Sequence, residues 1–247
     1  MSATASQPIW TRPEPGTRKP RFSRSQIAAA ALAIADSEGF KAVSIRRVAA
    51  ELGAGTMTLY RYISAKADLI TLMDDAIMGE SLIPAGELPA DWREAVAAIA
   101  RATRTALLRH PWAVQALQGR GGASQEGAFG PNGIRHFEQS LAAIAAAPLD
   151  TTAKLDLLTI VDDYVFGHVL RVAEQQTRSD ARRAEDGAAI ATYIEGLLAD
   201  GSYPHISALA GDPAAGSIGD PAELDRRFER GLAALLDGAV GGAGLAG

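Results

Sequence analysis

Apolar positions along the 247-residue chain recur every third or fourth residue, and no stretch alternates with the period of two that a half-buried strand requires. The spacing predicts an all-α protein. A first helix fits Ser23–Ser37: Ile27, Ala31, Ile34 and Ala35 line one side, Ser23 and Gln26 suit a capping box, and Gly39 stops it. A short second helix runs from Ser44 to Leu52, with Ile45, Val48 and Leu52 inward. After a turn bracketed by Gly53 and Gly55, a third covers Thr56–Ile63, and Ser64 caps a fourth reaching Glu80. Leu82–Ala90, with two prolines and a glycine, reads as a linker. Further helices fit Asp91–Arg109, Pro111–Gln118, Ile134–Ala147, Thr152–Gln176, Arg182–Leu198 and Ala222–Asp237. Gly119–Gly133 holds six glycines and reads as loop, as do residues 209–221 and the glycine-rich tail from Gly238.

The pattern divides the chain into a flexible arm (1–21), a helix-turn-helix unit (22–68), a larger helical bundle (69–240) and a flexible tail (241–247). Charge sharpens this division. Net charge is −5, yet residues 1–70 carry ten Lys/Arg against five Asp/Glu, while the rest carries 14 against 24. A basic head on an acidic body places any polyanion at the head. Arg12, Arg18, Lys19 and Arg21 make the arm basic; it reads as a solvated tail or as an arm laid on DNA. The absence of cysteine excludes disulfides, thiolate metal sites and a cysteine nucleophile. His110, His136, His168 and His205 form no His-x-x-x-His pair, so no metal and no other cofactor is expected. No apolar run of about 18 residues suggests a membrane span. No secretory signal pattern opens the chain, so a cytoplasmic location is expected.

Candidate chemistry concentrates in residues 44–63, two short helices joined by a glycine-containing turn. Ala49 is small where the helices must cross, and Gly53 can take a positive φ. Val48, Leu52 and Leu59 make a core that the first helix completes. The third helix then projects Thr56, Met57, Tyr60 and Arg61 outward, at a size that fits a major groove. Arg46, Arg47 and Lys66 flank it and suit phosphate, and the N–H groups near Ser64 can hold another. Tyr60 and Tyr62 also read as core aromatics.

The string Val43-Ser44-Ile45-Arg46-Arg47-Val48-Ala49, with Leu52-Gly53, Thr58-Leu59-Tyr60-Arg61-Tyr62 and Lys66-Ala67-Asp68-Leu69, resembles the DNA-binding head of the tetracycline-repressor (TetR) family. The resemblance covers about 45 residues. It implies a repressor that binds double-stranded operator DNA as a homodimer and lets go when a small molecule enters the C-terminal domain. By motif position it gives Ser44, Arg46, Thr56, Met57, Tyr60, Tyr62 and Lys66 DNA-contact roles. Ala54-Gly55 departs from a common Val-Ser, and Ile63 from a common Phe. Ile160–Gln176 and Phe228–Gly238 resemble the helices that form the family's four-helix dimer contact, which implies a homodimer through helices near 152–176 and 222–237. The residues agree: Leu155, Leu158, Val165, Val169 and Val172 line one side of a helix while Leu157, Val161 and Tyr164 line another. Such a helix is buried on two sides, by a twin or as the centre of a monomer.

An effector chamber needs apolar walls and a few polar anchors. Thr103 continues the line of Trp92, Val96 and Ile99; Gln115 lies one turn from Trp112; Asp162 falls between Leu158, Phe166 and Val169. With Met78 and Phe137 these make the expected ligand set, although Trp112 and Phe137 also fit a core and Asp162 a structural hub. Leu117 stands where the tetracycline-binding relatives carry a magnesium-holding histidine, which favours an aromatic, uncharged or differently anchored ligand. A regulator switched by a protein partner remains an alternative. A helical enzyme is the remote one, because no Ser/His/Asp set or phosphate loop occurs and Asp162 and Asp163 diverge by about 100°.

Overall fold

The computed structural model of the protein describes residues 8–13, 22–117, 130–177, 180–199, 201–210 and 221–243, which are helices joined by turns with no strand among them. The chain divides into two compact units, Met1–Val169 and Leu170–Gly247.

In the first unit, α1 (Arg24–Glu38) opens with the expected capping box: Gln26 N–H donates to the Ser23 hydroxyl and Ser23 N–H donates to the Gln26 side chain. Next come α2 (Ile45–Glu51), capped by Ser44, and α3 (Thr56–Leu59). Helix α4 (Lys66–Glu80) packs on α1 and leads into the body. There α5 (Trp92–Arg109), capped by Asp91, is followed by α6 (Pro111–Leu117) and α7 (Pro131–Ile144), and α7 packs against both α4 and α5. The linker is pinned to α7 by Gln139, whose side chain accepts from Ile83 N–H and donates to Ile83 C=O. Helix α8 (Thr151–Thr177) starts with Ala153 N–H donating to the Asp150 carboxylate, and buries Leu157, Val161, Val165 and Val169.

The second unit holds the end of α8, then α9 (Asp180–Leu198), α10 (Pro204–Ala210) and α11 (Pro221–Ala243). Helix α11 buries Leu224, Phe228, Leu232 and Leu236, one per turn. On α9, Ile190, Tyr193, Ile194 and Leu197 lie at helical spacing and are all exposed.

Several boundaries differ from the expectation. Helix α3 stops at Leu59 because Arg61 N–H and Tyr62 N–H reach back three residues, to Thr58 and Leu59, tightening the last turn as Tyr62 and Ile63 enter the core. Helix α7 begins at Pro131, three residues before Ile134, because Pro fits the first helical turn. Helix α10 lies mostly between the expected helix ending at Leu198 and the expected loop at 209–221, where no element is predicted. Helix α11 continues to Ala243, through Gly238, where a frayed tail was expected. Most of Gly119–Gly133 lies outside the described residues, as do 1–7 and 14–21 of the arm. Residues 8–13, expected to be flexible, instead form a 3₁₀ turn at Ile9–Thr11 with Ile9 buried.

Candidate nucleic-acid interface and its junction with the body

The helix-turn-helix is built as its sequence dictates. Val48, Ala49 and Leu59 are buried where α2 meets α3, as are Ile27, Ala31 and Ile34 of α1, which packs on α2. Gly53 takes φ +59 in the turn, where a side chain would be strained. Gly55 precedes α3 in ordinary extended backbone (φ −75, ψ 145) and supplies no side-chain cap.

The outward face of α3 is free. Met57 is 78% exposed and Tyr60 48%, and Arg61 and Arg46 are exposed beside them. Among the described residues, none of these four side chains makes a hydrogen bond or ion pair. Thr56 is half-buried at the helix start. Lys66 is exposed, with its ammonium 5.4 Å from the centre of the Phe40 ring.

Three expectations for this face are corrected. Tyr62 is 5% exposed and its hydroxyl accepts from Phe22 N–H, so it belongs to the core. Arg47 is held by Glu38 (2.6 Å) and Glu51 (2.8 Å), an ion-pair set that keeps Arg47 charged and lowers the Glu38 pKa through its hydrogen bond. Ser64 is not the cap of α4, which is Ala65; Ser64 N–H and hydroxyl both donate to Asp68 Oδ2, so a carboxylate already occupies that N–H. Burial raises the Asp68 pKa, but Arg12 and Ser64 outweigh it and the net shift is downward.

Where the head meets the body, polar groups are paired. His110, buried at the α5–α6 break, places Nδ1 2.7 Å from Asp36 Oδ1 on α1 and Nε2 3.3 Å from Glu80 Oε1 on α4. Trp112 Nε1–H donates to the same Asp36 oxygen at 2.7 Å, and its ring stacks on Phe40 at 5.3 Å. Arg109 pairs with Glu80. A second contact joins α4 to α7. The buried Asp75 carboxylate accepts from Asn132 N–H (2.9 Å) and Gly133 N–H (3.0 Å), capping α7 from another helix. Burial raises its pKa against the pull of those donors. Any Cβ at Gly130 would collide with Asp75 and the Trp10 indole.

The expected ligand set separates. Thr103 is buried on α5, and its hydroxyl lies 3.0 Å from His136 Nε2 on α7. Burial lowers the His136 pKa, which favours the neutral ring. Asp162 is reached by solvent, yet surrounding protein and the adjacent Asp163 push its pKa to about 6. Met78 and Phe166 are half-buried, and Phe137 is 43% exposed. Trp112 faces the head instead of joining them, because its indole N–H finds Asp36 and its ring finds Phe40. The Gln115 side chain lies outside the described residues. An open groove of about 480 Å³ between Pro84–Leu88 and α7 is lined by none of these residues. No metal-binding cluster and no helix long and apolar enough to cross a membrane occurs among the described residues.

Sequence reasoning missed Asp36, Glu80, Asp75, Asn132 and the roles of His110 and His136. Their partners lie 30 to 76 positions away, and no local pattern marks them.

The geometry of α2, turn and α3 defines a helix-turn-helix protein. Residues 27–73 match the family of bacterial regulatory proteins named tetR, and residues 85–240 match the tetracyclin repressor-like C-terminal domain. The chain is 36% identical over 92% of its length to the transcriptional repressor DrrR1 of Streptomyces coeruleorubidus, covering 80% of that protein. It is 33% identical over 96% of its length to a helix-turn-helix transcriptional regulator of Saccharopolyspora erythraea, covering 93% of it. Among solved structures, ActR from Streptomyces coelicolor superposes with a TM-score of 0.71 at 28% identity, over 94% of this chain and all of that one. ActR in complex with actinorhodin gives the same TM-score and identity, over 92% and 99%. The chain belongs to the TetR family of transcriptional regulators, and like its named relatives it is a regulator of transcription and not an enzyme.

Proposed function

We propose that the protein is a repressor that binds a palindromic operator as a homodimer and releases it when a small molecule binds the body. The free outward face of α3, with Met57 and Tyr60 exposed and Arg46 and Arg61 unpaired beside them, carries this reading. Arginines left without acidic partners on a convex helical surface suit a polyanion. Thr56, Met57, Tyr60 and Arg61 would meet base edges; Ser44, Arg46 and Lys66 would meet phosphates. Arg47 and Tyr62 drop out of the set, being paired and buried.

The dimer reading is supported by apolar side chains left outside: Leu155 and Ile160 on α8, and the small exposed residues Ala233, Ala234 and Gly238 on α11. A twin across α8 and α11 would set two α3 helices about 34 Å apart, one turn of DNA. The effector reading is supported by the ActR–actinorhodin complex and by the Thr103–His136 pair on apolar helices. Met78, Gln115, Phe137, Asp162 and Phe166 would complete the contacts. An effector acts only if it binds the released state more tightly than the DNA-bound one. The His110–Asp36–Glu80 contact, linking the α5–α6 break to α1 and α4, is a ready element to differ between the two states. Such a regulator works in the cytoplasm, with the DNA.

The test is a footprint on the DNA upstream of the protein's own gene, with wild type and an Arg46→Ala, Tyr60→Ala double variant. A two-fold symmetric protected site that the variant loses supports the reading. Equal protection by both proteins contradicts it.

A further inference from the structure

Residues 8–13 of the N-terminal segment lie against the protein. Ile9 is buried, and the Trp10 indole lies against Gly130 at the entry to α7, next to Asp75. Two residues on, Arg12 Nη1 donates to the Ser64 hydroxyl at 2.7 Å and Nη2 lies 2.6 Å from Asp68 Oδ2. Arg24 of α1 in turn donates to Arg12 C=O at 2.8 Å. Six residues thus touch the body at one end and the N-terminus of α4 at the other. That N-terminus carries Lys66, the proposed phosphate contact.

We infer that Pro8–Pro13 is a strap that positions the DNA-reading head, with Trp10 seated at the α7 entry and Arg12 fixing the start of α4. Arg12 is a positioning residue and not a phosphate ligand. Three observations support this. First, the Arg12 guanidinium already has a carboxylate and a hydroxyl beside it, and its side chain is only 22% exposed. Second, Arg12 neutralises Asp68, whose charge otherwise stands two residues from Lys66 and opposes phosphate. Third, the Trp10 indole N–H is buried with no hydrogen-bond partner among the described residues, so undocking would return that group to water and offset part of the lost packing. A shift of the α7 entry, which Trp10 and Asp75 both touch, would reach Ser64 and Lys66 along six residues of chain. This rests on the DNA-binding reading above and adds how the body would control it.

The test compares wild type with Trp10→Ala, Arg12→Ala, the double variant and Trp10→Phe. Operator affinity is read across a salt series, on a duplex selected from random sequence by the wild-type protein. Trp10 carries no charge and lies at the body, so a direct DNA role for the arm predicts no effect of Trp10→Ala. The strap predicts that Trp10→Ala and Arg12→Ala each weaken binding about ten-fold and that the double is no worse than either, since both open one device. Trp10→Phe retains binding. The salt slope of Arg12→Ala stays at the wild-type value, whereas loss of a phosphate contact lowers it by about one. Hydrogen exchange without DNA tests the strap separately from DNA binding. Trp10→Ala must speed exchange at the amides of residues 64–69 with the melting temperature otherwise kept. Unchanged exchange there, a harmless Trp10→Ala, or a reduced salt slope for Arg12→Ala each overturns the inference. Failure of the wild type to select any DNA overturns the function proposed above and leaves the exchange result to decide the strap.

Discussion

The DNA-reading head has two faces, and they are made differently. On the outward face of α3, Met57, Tyr60 and Arg61 stand exposed and make no polar side-chain contact among the described residues. On the side toward the body, Asp36 and Asp68 of the head, and Asp75 and Glu80 further along α4, are each engaged by groups distant in sequence. A side chain that meets nothing inside the protein contributes little to folding, so its identity is available for a partner. A side chain that meets two or three others is fixed by them, and changing it alters the fold before it alters binding. The comparison teaches where to expect each kind of defect: affinity without stability on one face, stability and coupling together on the other.

The largest expected effect is at the α4–α7 contact. Gly130→Ala must push the Asp75 carboxylate or the Trp10 indole from its place, at a cost of about 2–3 kcal/mol. Thermal or urea unfolding measures this; a neutral variant would mean that α7 is not held by the geometry described. A smaller effect belongs to the body. Asp162 titrates near 6 in the folded chain against an ordinary value of 3.8, so between these values the folded state holds the extra proton and stability falls as pH rises. Asp162→Asn removes that slope. It leaves stability unchanged near pH 4 and raises it above pH 7 by about 1 kcal/mol or less, because solvent still reaches the side chain. A gain at low pH instead would contradict the assignment. The smallest belongs to the reading face. Gly55→Ser offers α3 the side-chain cap it lacks and adds a few tenths of a kcal/mol, visible as slower exchange at Met57 and Thr58.

The same contrast explains what the sequence made legible. Residues 44–66 carry helix, cap, turn and outward side chains within one contiguous stretch, so periodicity and spacing suffice there. The Ser23–Gln26 capping box and the Ser44 cap form as read, since a cap involves neighbours three residues apart. Tyr62 and Arg47 deceived for a local reason: helical phase gives a direction but not which side chain turns inward or finds Glu38 on another helix. Trp112, one turn from Gln115, fits a ligand wall or a core by its sequence, while its N–H partner, Asp36, is 76 positions away. Arg12 fits a solvated tail or a DNA arm by its charge alone, because its partner Asp68 lies 56 positions away.

The most direct measurement sets one variant from each face side by side: unfolding free energy and operator affinity for Tyr60→Ala and Asp36→Ala. Tyr60→Ala is expected to keep stability within about 0.5 kcal/mol while losing ten- to hundred-fold in affinity. Asp36→Ala leaves the Trp112 indole N–H and His110 Nδ1 without their shared acceptor, and loses about 2 kcal/mol of stability. A Tyr60→Ala protein that binds operator as tightly as wild type would contradict the claim that α3 reads DNA.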